Sequence, residues 1–200
     1  MKNLYLIDFD GTLTKEDSTR SFLREISNTY QYFMYYYLYP LKYIISYYFL
    51  RGDSYTIKKY RFYYFTSKIS ATDIKQKLER WDKHIDSILL DGAIEFIRKL
   101  KGNPDNEVYI VSAGISIILN GWTEREGVGL ITNLFNASFT CPHNVFEHEY
   151  DCDRVGKVLR IRSEIDIDQY NRIIAYGDTP NDFDMFMLSD KFIYRSLEIA

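Results

Sequence analysis

The feature that most constrains the fold is a short apolar run at residues 4–7 that ends in two acids, Asp8 and Asp10, followed by Gly11. A short apolar run bounded by turn-forming residues predicts a buried strand. Residues two apart point to the same side of a strand, so both carboxylates would face the protein interior. A cation at the carboxyl end of the strand, where open α/β sheets bind ligands, would offset the cost of burying them. The plainer alternative is a strand followed by an Asp-Gly turn.

The rest of the chain divides into two kinds of pattern. Residues 15–88 show no strand alternation and predict helices, among them 54–69 and 72–90. From residue 89 onwards, helical segments alternate with short apolar runs, which is typical of a parallel sheet covered by helices. The predicted strands are 108–111, 172–176 and 192–194, with short strands and loops over 130–150. The predicted helices are 92–100, 115–120, 155–162 and 181–188. The sequence therefore predicts an α/β protein with a helical insert after its first strand.

Polar residues follow the predicted strands. Ser112 stands after strand 108–111 and before Gly114, where a hydroxyl and free N–H groups at a helix start can hold an anion. Ser112 could equally cap that helix. Lys157 lies at the start of a predicted helix, a mildly unfavourable place for a cation that a bound anion would offset, and its alternative is an ordinary solvated lysine.

A second acid pair closes the set. Asp178 follows strand 172–176 after Gly177, which permits close backbone approach, and Asp182 comes four residues later. Since parallel strands bring their carboxyl ends to one edge, we expect Asp178 to lie near Asp8 and Asp10. A turn with an N-cap would account for Asp182 but leave Asp178 unexplained.

Taken in order, the acid pair, the serine, the lysine and the second acid pair resemble the four motifs of the haloacid dehalogenase superfamily of phosphohydrolases. Residues 8–14 and 176–182 carry most of the likeness. The insert resembles the helical cap of the phosphoserine phosphatase-like branch. The resemblance implies a Rossmann-like parallel-sheet core formed by residues 1–14 and 89–200, with an all-α, tyrosine-rich cap at residues 15–88.

The resemblance also implies a mechanism. Asp8 would attack phosphorus and form an aspartyl-phosphate, while Asp10 would protonate the leaving alcohol and then activate water. An acid in the position of Asp10 favours a phosphatase, because a departing halide needs no proton. Mg²⁺ would be held by the side chains of Asp8 and Asp178 and the backbone carbonyl of Asp10. The residues implied to hold phosphoryl oxygens are Gly11, Ser112, Gly114 and Lys157, and those implied to orient metal-bound water and the lysine are Asn181 and Asp182.

The substrate is less well defined and is expected to be a small phosphorylated metabolite. The candidates for selecting it are Asp17, Lys58, Lys59 and Arg61. Asp17 stands near the place of a cap-hinge glutamate in the phosphoserine-specific branch. That branch usually has Ser-Thr where this chain has Gly11-Thr12, so phosphoserine is not assigned.

Residues 29–50 are the most unusual part of the predicted cap, because nine of these 22 residues are tyrosine. The segment could form the packed core of the cap, lie on a membrane surface or cross a bilayer. Tyrosine hydroxyls prefer an interface, and Pro40 would interrupt a helix. The arrangement is similar to that of membrane-associated phosphatidylglycerophosphate phosphatases, so a phosphatase of a phospholipid head-group phosphate is one alternative. A non-catalytic binding module on the same fold is another.

Charge and cysteine content narrow the remaining classes. Residues 15–88 hold 13 lysines and arginines against eight acids, whereas the rest of the chain holds 12 against 20. This small basic excess gives little support for nucleic-acid binding but suits an anionic substrate. Cys141 and Cys152 fit no metal or redox spacing, and no signal peptide is expected before the first strand, which begins by residue 4. A cytoplasmic protein, at most peripheral to the inner face of the membrane, is expected, and its oligomeric state stays open.

Overall fold

The computed structural model describes residues 2–50, 53–67 and 69–198. At its centre lies a five-stranded, all-parallel sheet in the order β3-β2-β1-β4-β5. The strands are β1 (Asn3–Ile7), β2 (Asn106–Ile115), β3 (Gly129–Asn133), β4 (Arg172–Gly177) and β5 (Lys191–Tyr194). Helices cover both faces of β1, which explains why its apolar run shows no polar alternation. The predicted α/β class with a parallel sheet is confirmed.

Helices fill the sequence between the strands. Between β1 and β2 lie α1 (Ser18–Glu25), α2 (Thr29–Phe33), a π-helix (Met34–Leu38), α3 (Leu41–Leu50), α4 (Ser54–Thr66), α5 (Ala71–His84) and a 3₁₀ turn (Ile85–Ile88). Helix α6 (Ala93–Lys101) also precedes β2, but we call only the helices before α6 the helices between β1 and β2. Helices α7 (Ser116–Glu126), α8 (Val155–Glu164) and α9 (Phe183–Phe186) follow β2. The predictions of helices over 54–69, 72–90 and 181–188 were too long, and that of 115–120 was too short. Helix α7 continues to a left-handed glycine, Gly127, which ends it.

The sheet divides the hydrophobic core into two clusters, and the alternation along β1 assigns its residues to them. Tyr5 and Ile7 belong to the cluster that contains α6, α7 and the helices between β1 and β2. Leu4 and Leu6 belong to the cluster beneath α8 and α9. A one-residue slip of β1 would therefore exchange its side chains between two different cores.

The helices between β1 and β2 pack on the first cluster. Trp81 of α5 is fully buried and donates its Nε1 hydrogen to the carbonyl of Ile118 in α7 at 3.0 Å. Its ring also meets the ring of Phe22 of α1 edge to face, with centroids 5.5 Å apart. Thr14 and Leu89 form an isolated antiparallel bridge at the base of these helices. The division into a core and a cap at residues 14/15 and 88/89 remains a prediction, and this bridge lies next to both boundaries.

The tyrosine-rich stretch from α2 to α3 is interrupted at Pro40, as predicted. One side of it rests on α4: Tyr35 contacts Phe65 edge to face, and Tyr43 stacks on Tyr60 with ring centroids 3.8 Å apart. Its other side is exposed, and none of its tyrosines is buried. The prediction of a packed cap core therefore fits only the side of the segment that faces α4. Within the described residues, every helix is too short or too polar to traverse a bilayer, which leaves the membrane-crossing hypothesis without support.

Candidate active site

The buried ammonium of Lys157 joins two carboxylates at the carboxyl ends of β1 and β4. Its Nζ atom lies 2.5 Å from Asp8 Oδ1 and 2.6 Å from Asp182 Oδ1, and all three side chains are buried. Burial opposes the charge on Lys157, but the two carboxylates outweigh it and raise its pKa, which keeps it protonated. Burial raises the pKa of Asp8 to about 6 although Lys157 lowers it, so Asp8 is mainly ionised at neutral pH. The alternative of a solvated Lys157 is wrong.

A hydroxyl lies between Asp8 and the acid that follows β4. Thr12 Oγ1 is 3.1 Å from Asp8 Oδ2 and 3.4 Å from Asp178 Oδ1, and its single hydrogen can serve only one of them. Gly11 allows this close approach, because its φ is +86° and a Cβ atom there would collide with the carboxylate of Asp178. Glycine adopts this conformation without the strain that other residues would incur.

The residues at this edge fit a divalent cation. Carboxylate oxygens of Asp8, Asp178 and Asp182 lie within 4.8 Å of one another, the one such acidic group in the part of the chain that the structure describes. Lys157 bonds the carboxylates of Asp8 and Asp182 but not that of Asp178, so the three carboxylates carry more negative charge than this ammonium balances. Burial and then the charge of Asp182 raise the pKa of Asp178, a penalty that a cation would relieve. An all-oxygen set of this kind suits Mg²⁺.

The hydrogen bonds of Asp182 leave Asp8 and Asp178 as the side chains best placed to hold such an ion. Asp182 Oδ1 accepts from Lys157, and its Oδ2 accepts from the N–H groups of Asp178 and Thr179 and from the Thr179 hydroxyl, at 3.1 to 3.2 Å. Asp182 therefore holds the lysine and the backbone beside the acids, whereas its predicted orienting of metal-bound water stays a prediction.

The carboxylate of Asp10 is bonded to Ser18 and is not one of the three acids of this cluster. Strand β1 ends at Ile7 and the chain then enters a turn, so strand alternation does not by itself direct the two carboxylates, but Asp8 and Asp10 line the same cavity. Asp10 Oδ1 accepts the N–H of Ser18 at 2.7 Å, and its Oδ2 accepts the Ser18 hydroxyl at 3.1 Å. The predicted metal contact of Asp10 concerns its backbone carbonyl and stays a prediction.

The surroundings of Asp10 suit proton transfer. Burial, followed by the charge of Asp17, raises the pKa of Asp10 to about 7, although the hydrogen bonds from Ser18 lower it. Both protonation states are therefore populated near neutral pH, which a group that first gives and then takes a proton requires. Ser18 was not among the predicted site residues.

Ser112 lies inside β2 instead of after it. The strand continues to Ile115, where its pairing with β3 is irregular, and α7 begins at Ser116 without a side-chain cap. Ser112 therefore does not cap the helix, and the alternative of a simple N-cap is wrong. Its buried Oγ accepts the N–H of Gly114 at 2.9 Å, while its own hydrogen meets no acceptor among the described residues. That hydroxyl is free to donate to a ligand.

The N–H groups of the two glycines predicted to hold phosphoryl oxygens are used within the protein. The N–H of Gly114 donates to Ser112, and that of Gly11 donates to Thr14 Oγ1 at 3.1 Å. These two N–H groups therefore already have partners, and the prediction that the backbone around Gly11 and Gly114 holds phosphoryl oxygens stays a prediction. The structure brings Ser112 and Lys157 to the same cavity wall.

A cavity of about 550 Å³ extends from Asp8 and Asp10 towards the helices between β1 and β2. Its far walls are largely apolar and are formed by Leu23, Tyr36, Ile44, Tyr47, Ile57 and Phe62. Of the predicted substrate-selecting residues, Asp17, Lys58 and Arg61 line the cavity, and Lys59 does not. Lys59 lies instead over the ring of Tyr55, with Nζ 4.3 Å from its centroid, so its predicted substrate contact is corrected.

The two other candidates from these helices are partly occupied. Asp17 caps α1 by accepting the N–H of Arg20. Arg61 donates its Nε hydrogen to the carbonyl of Tyr36 at 2.9 Å, and its guanidinium lies 3.9 Å from the centroid of that ring. The terminal N–H groups of Arg61 have no partner among the described residues and remain available in the cavity.

Lys58 connects α4 to the strand that carries Ser112. Its Nζ atom donates to the carbonyl of Ala113 at 2.7 Å and to both oxygens of Asp151 at 2.7 and 2.8 Å. An ammonium has three hydrogens, so Lys58 has none left for a substrate. Asn133, at the end of β3, donates to the same two residues at 2.8 Å. Lys58 thus holds the backbone beside Ser112, and neither Asn133 nor Asp151 was predicted.

Asn181 lies at the rim of the cavity and contacts the loop before α8. Its Nδ2 donates to Asp153 at 3.3 Å, and its Oδ1 accepts from Arg154 at 3.0 Å. Burial, then the charge of Asp151, raises the pKa of Asp153, another cavity residue that was not predicted. Among the described residues, Asp182 is the one that bonds Lys157 from this loop, whereas Asn181 connects the loop after β4 to the loop before α8 at the mouth of the cavity.

Several solved structures share the fold of nearly the whole chain. A protein with unknown function from Bordetella pertussis Tohama I superposes with a TM-score of 0.74 at 16% identity, covering 97% of this chain and 90% of its own. A phosphoserine phosphohydrolase-like protein from Francisella tularensis subsp. tularensis SCHU S4 gives a TM-score of 0.60 at 22% identity, covering 97% and 87%. A phospho-aspartyl intermediate analogue of phosphoserine phosphatase gives 0.56 at 20%, covering 96% and 86%. These likenesses are of fold.

Sequence comparison supplies the family. No curated protein sequence matches the chain significantly. The family model for haloacid dehalogenase-like hydrolases matches residues 5–187, which include every acid of the site described above. Because that match spans most of the sequence, the chain belongs to the haloacid dehalogenase-like hydrolases.

Proposed function

We propose that this protein is a Mg²⁺-dependent phosphomonoesterase that forms an aspartyl-phosphate on Asp8. The observation that carries the proposal is the buried carboxylate of Asp8, which Lys157 and Thr12 hold at the floor of a 550 Å³ cavity. A phosphatase of this kind needs a fixed nucleophile, positive charge for the phosphoryl oxygens and a proton donor for the leaving group. Asp8, Lys157 and Asp10 supply these three functions. Membership of the hydrolase family supports the assignment.

The reaction proceeds in two steps. In the first, an oxygen of Asp8 bonds to phosphorus, the ester P–O bond breaks, and the leaving alcohol takes the proton of Asp10. In the second, Asp10 takes a proton from water, the water oxygen bonds to phosphorus, and inorganic phosphate leaves with Asp8 restored. A pKa of about 7 allows Asp10 to act in both directions.

The phosphoryl oxygens are held by groups that are in place before the reaction. The Lys157 ammonium contacts Asp8, and the Ser112 hydroxyl has a hydrogen to donate into the same cavity. Bound Mg²⁺, held by Asp8 and Asp178, supplies the positive charge that lets an anionic nucleophile approach an anionic phosphoryl group. Asp182 keeps Lys157 oriented through its own hydrogen bond.

The substrate is a small phosphorylated molecule whose leaving group fits beneath α1, α3 and α4. The cavity volume falls in the range of small-molecule sites, about 300 to 1,000 Å³. Arg61 and Asp17 are polar groups from these helices that line the cavity and could contact such a leaving group. A lipid head-group phosphatase is not favoured, since similar solved structures are of phosphoserine phosphatase-like proteins. A non-catalytic module is not favoured, since the nucleophile Asp8 keeps its hydrogen bonds to Lys157 and Thr12.

Hydrolysis of p-nitrophenyl phosphate tests the proposal. Asp8→Asn keeps the size of the side chain but removes the nucleophilic charge, so we expect kcat to fall about a thousandfold or more. The wild type should lose activity in EDTA and regain it with added Mg²⁺. Asp105→Asn is the matched control, because Asp105 is exposed and its side chain makes no hydrogen bond among the described residues. Full activity in Asp8→Asn would refute the assignment.

A further inference from the structure

The stretch from α2 to α3 exposes an unusual concentration of apolar side chains. Ten of the 17 exposed large apolar side chains of the described residues lie between residues 30 and 49. Tyr30, Tyr48 and Phe49 are 71%, 74% and 80% exposed. We call the exposed side chains of residues 30–49 the aromatic face. Exposed apolar patches of this size mark interaction sites in soluble proteins.

The sequence around the aromatic face carries positive charge. Between residues 26 and 72 there is one acid, Asp53, against six lysines and arginines. Asp53 is used as the N-cap of α4, where it accepts the N–H groups of Tyr55 and Thr56. Lys42 lies within the face and is exposed, with no acidic partner among the described residues. An occupant that is apolar inside and negatively charged outside would complement this segment.

The aromatic face is continuous with the mouth of the cavity. Tyr37, Tyr47 and Tyr48 are exposed and also line the cavity that leads to Asp8. Whatever covers the face therefore lies beside the entrance of the proposed active site.

We propose that the aromatic face docks on the surface of an anionic lipid bilayer and lies in its interfacial layer. Tyrosine favours that layer because its ring is apolar and its hydroxyl needs water or head groups. Anionic lipids attract Lys42, the exposed cation within the face that has no acidic partner among the described residues. The helices on either side of Pro40 can lie flat on a membrane without crossing it. Docking requires no catalysis and so goes beyond the proposed hydrolase activity.

Vesicle flotation tests the proposal with the full chain. The wild type is mixed with vesicles of phosphatidylserine and phosphatidylcholine in equal parts, or of phosphatidylcholine alone, and floated through a sucrose gradient. We expect it to float with the anionic vesicles, less so as salt is raised, and weakly with the neutral ones. Asp8→Asn should float like the wild type, so failure of the phosphatase assignment and failure of docking can be told apart.

Substitutions identify the surface that is used. Phe33→Ser/Phe49→Ser alters two largely exposed side chains that do not line the cavity, and it should lower binding to anionic vesicles about tenfold. Met187→Ser is the matched control, since Met187 is 86% exposed and lies outside the aromatic face. Hydrolysis of p-nitrophenyl phosphate without vesicles checks that each variant is folded.

Three results would overturn the proposal. The first is that the wild type fails to float with anionic vesicles. The second is that Phe33→Ser/Phe49→Ser floats as well as Met187→Ser. The third is that no protein floats while light scattering finds a dimer that Phe33→Ser/Phe49→Ser converts to a monomer, which would assign the face to a second copy of the chain.

Discussion

The sheet edge and the aromatic face differ in how far their side chains are buried and in how many partners hold each of them. At the edge, charged groups are buried and each is held by several partners, as Lys157 is by Asp8 and Asp182. On the face, tyrosines and phenylalanines are exposed and touch mainly one another, as Phe33 and Tyr37 do. Reaction chemistry needs groups fixed to within a fraction of an ångström, whereas a docking surface can adapt. We therefore expect substitutions at the sheet edge to affect the proposed reaction, and substitutions on the aromatic face to affect the proposed docking.

The largest expected effect comes from removing the ammonium of Lys157. Lys157→Met leaves Asp8 and Asp182 buried and facing each other without a cation. We expect the free energy of unfolding to fall by about 3 to 5 kcal/mol without divalent ions, and activity to fall about a thousandfold. Urea unfolding and p-nitrophenyl phosphate hydrolysis measure the two effects. Lys75→Met, at an exposed lysine of α5, is the control. If the two variants were equally stable and equally active, the buried ammonium of Lys157 would not have the role assigned to it.

A smaller effect is expected from a pair of neighbouring lysines on α4. Lys58 binds Asp151 and Ala113 with all three of its hydrogens, whereas Lys59 contacts only an aromatic ring. Lys58→Met should free the backbone beside Ser112 and lower kcat/KM for p-nitrophenyl phosphate about tenfold, while Lys59→Met should change it less than about twofold. A loss confined to one natural substrate, with the aryl phosphate unaffected, would instead return Lys58 to a substrate-binding role.

The smallest effect concerns a buried carboxylate away from the site. Glu126 of α7 accepts hydrogen bonds from Arg98 Nε and Nη2 at 2.9 and 3.1 Å. Burial raises its pKa, but the bonds and charge of the neighbouring arginines outweigh burial and hold the pKa below 4.5. The unfolded chain therefore binds this proton more tightly than the folded one. The stabilisation is complete above about pH 4.5 and is lost as the pH falls through the lower folded pKa.

Glu126→Gln removes this pH-dependent stabilisation. We expect the free energy of unfolding to be about 1 kcal/mol lower than in the wild type at neutral pH, and the gap to close as the pH falls below 4.5. Glu124→Gln, at an exposed glutamate of the same helix, serves as the control in the same urea titrations. A gap that widens on acidification would mean that the pKa of Glu126 is raised in the folded state.

The residues of the sheet edge could be predicted because they follow strands directly. Asp8 comes after β1 and Asp178 after β4, and parallel strands deliver their carboxyl ends to one edge. The place of Thr12 between these two acids depends on the left-handed turn at Gly11, which the alternation of a strand does not describe.

Contacts between distant loops gave no comparable signal. Asn133 and Asp151 meet Lys58 because β3, the loop before α8 and helix α4 converge, and nothing in their local sequence indicates that convergence. The exposure of the tyrosine-rich stretch could not be predicted either. Its residues are apolar on all sides, so helical periodicity defines no single buried face.

The most direct measurement is to locate the phosphoryl group during turnover. Enzyme quenched in acid while hydrolysing p-nitrophenyl phosphate, reduced with borohydride and digested, reveals by mass spectrometry which carboxylate had become an acyl phosphate. The account predicts reduction at Asp8 alone, with no modified peptide in Asp8→Asn. Sustained turnover with no modified peptide, or with the modification on Asp10 or another acid, would contradict it.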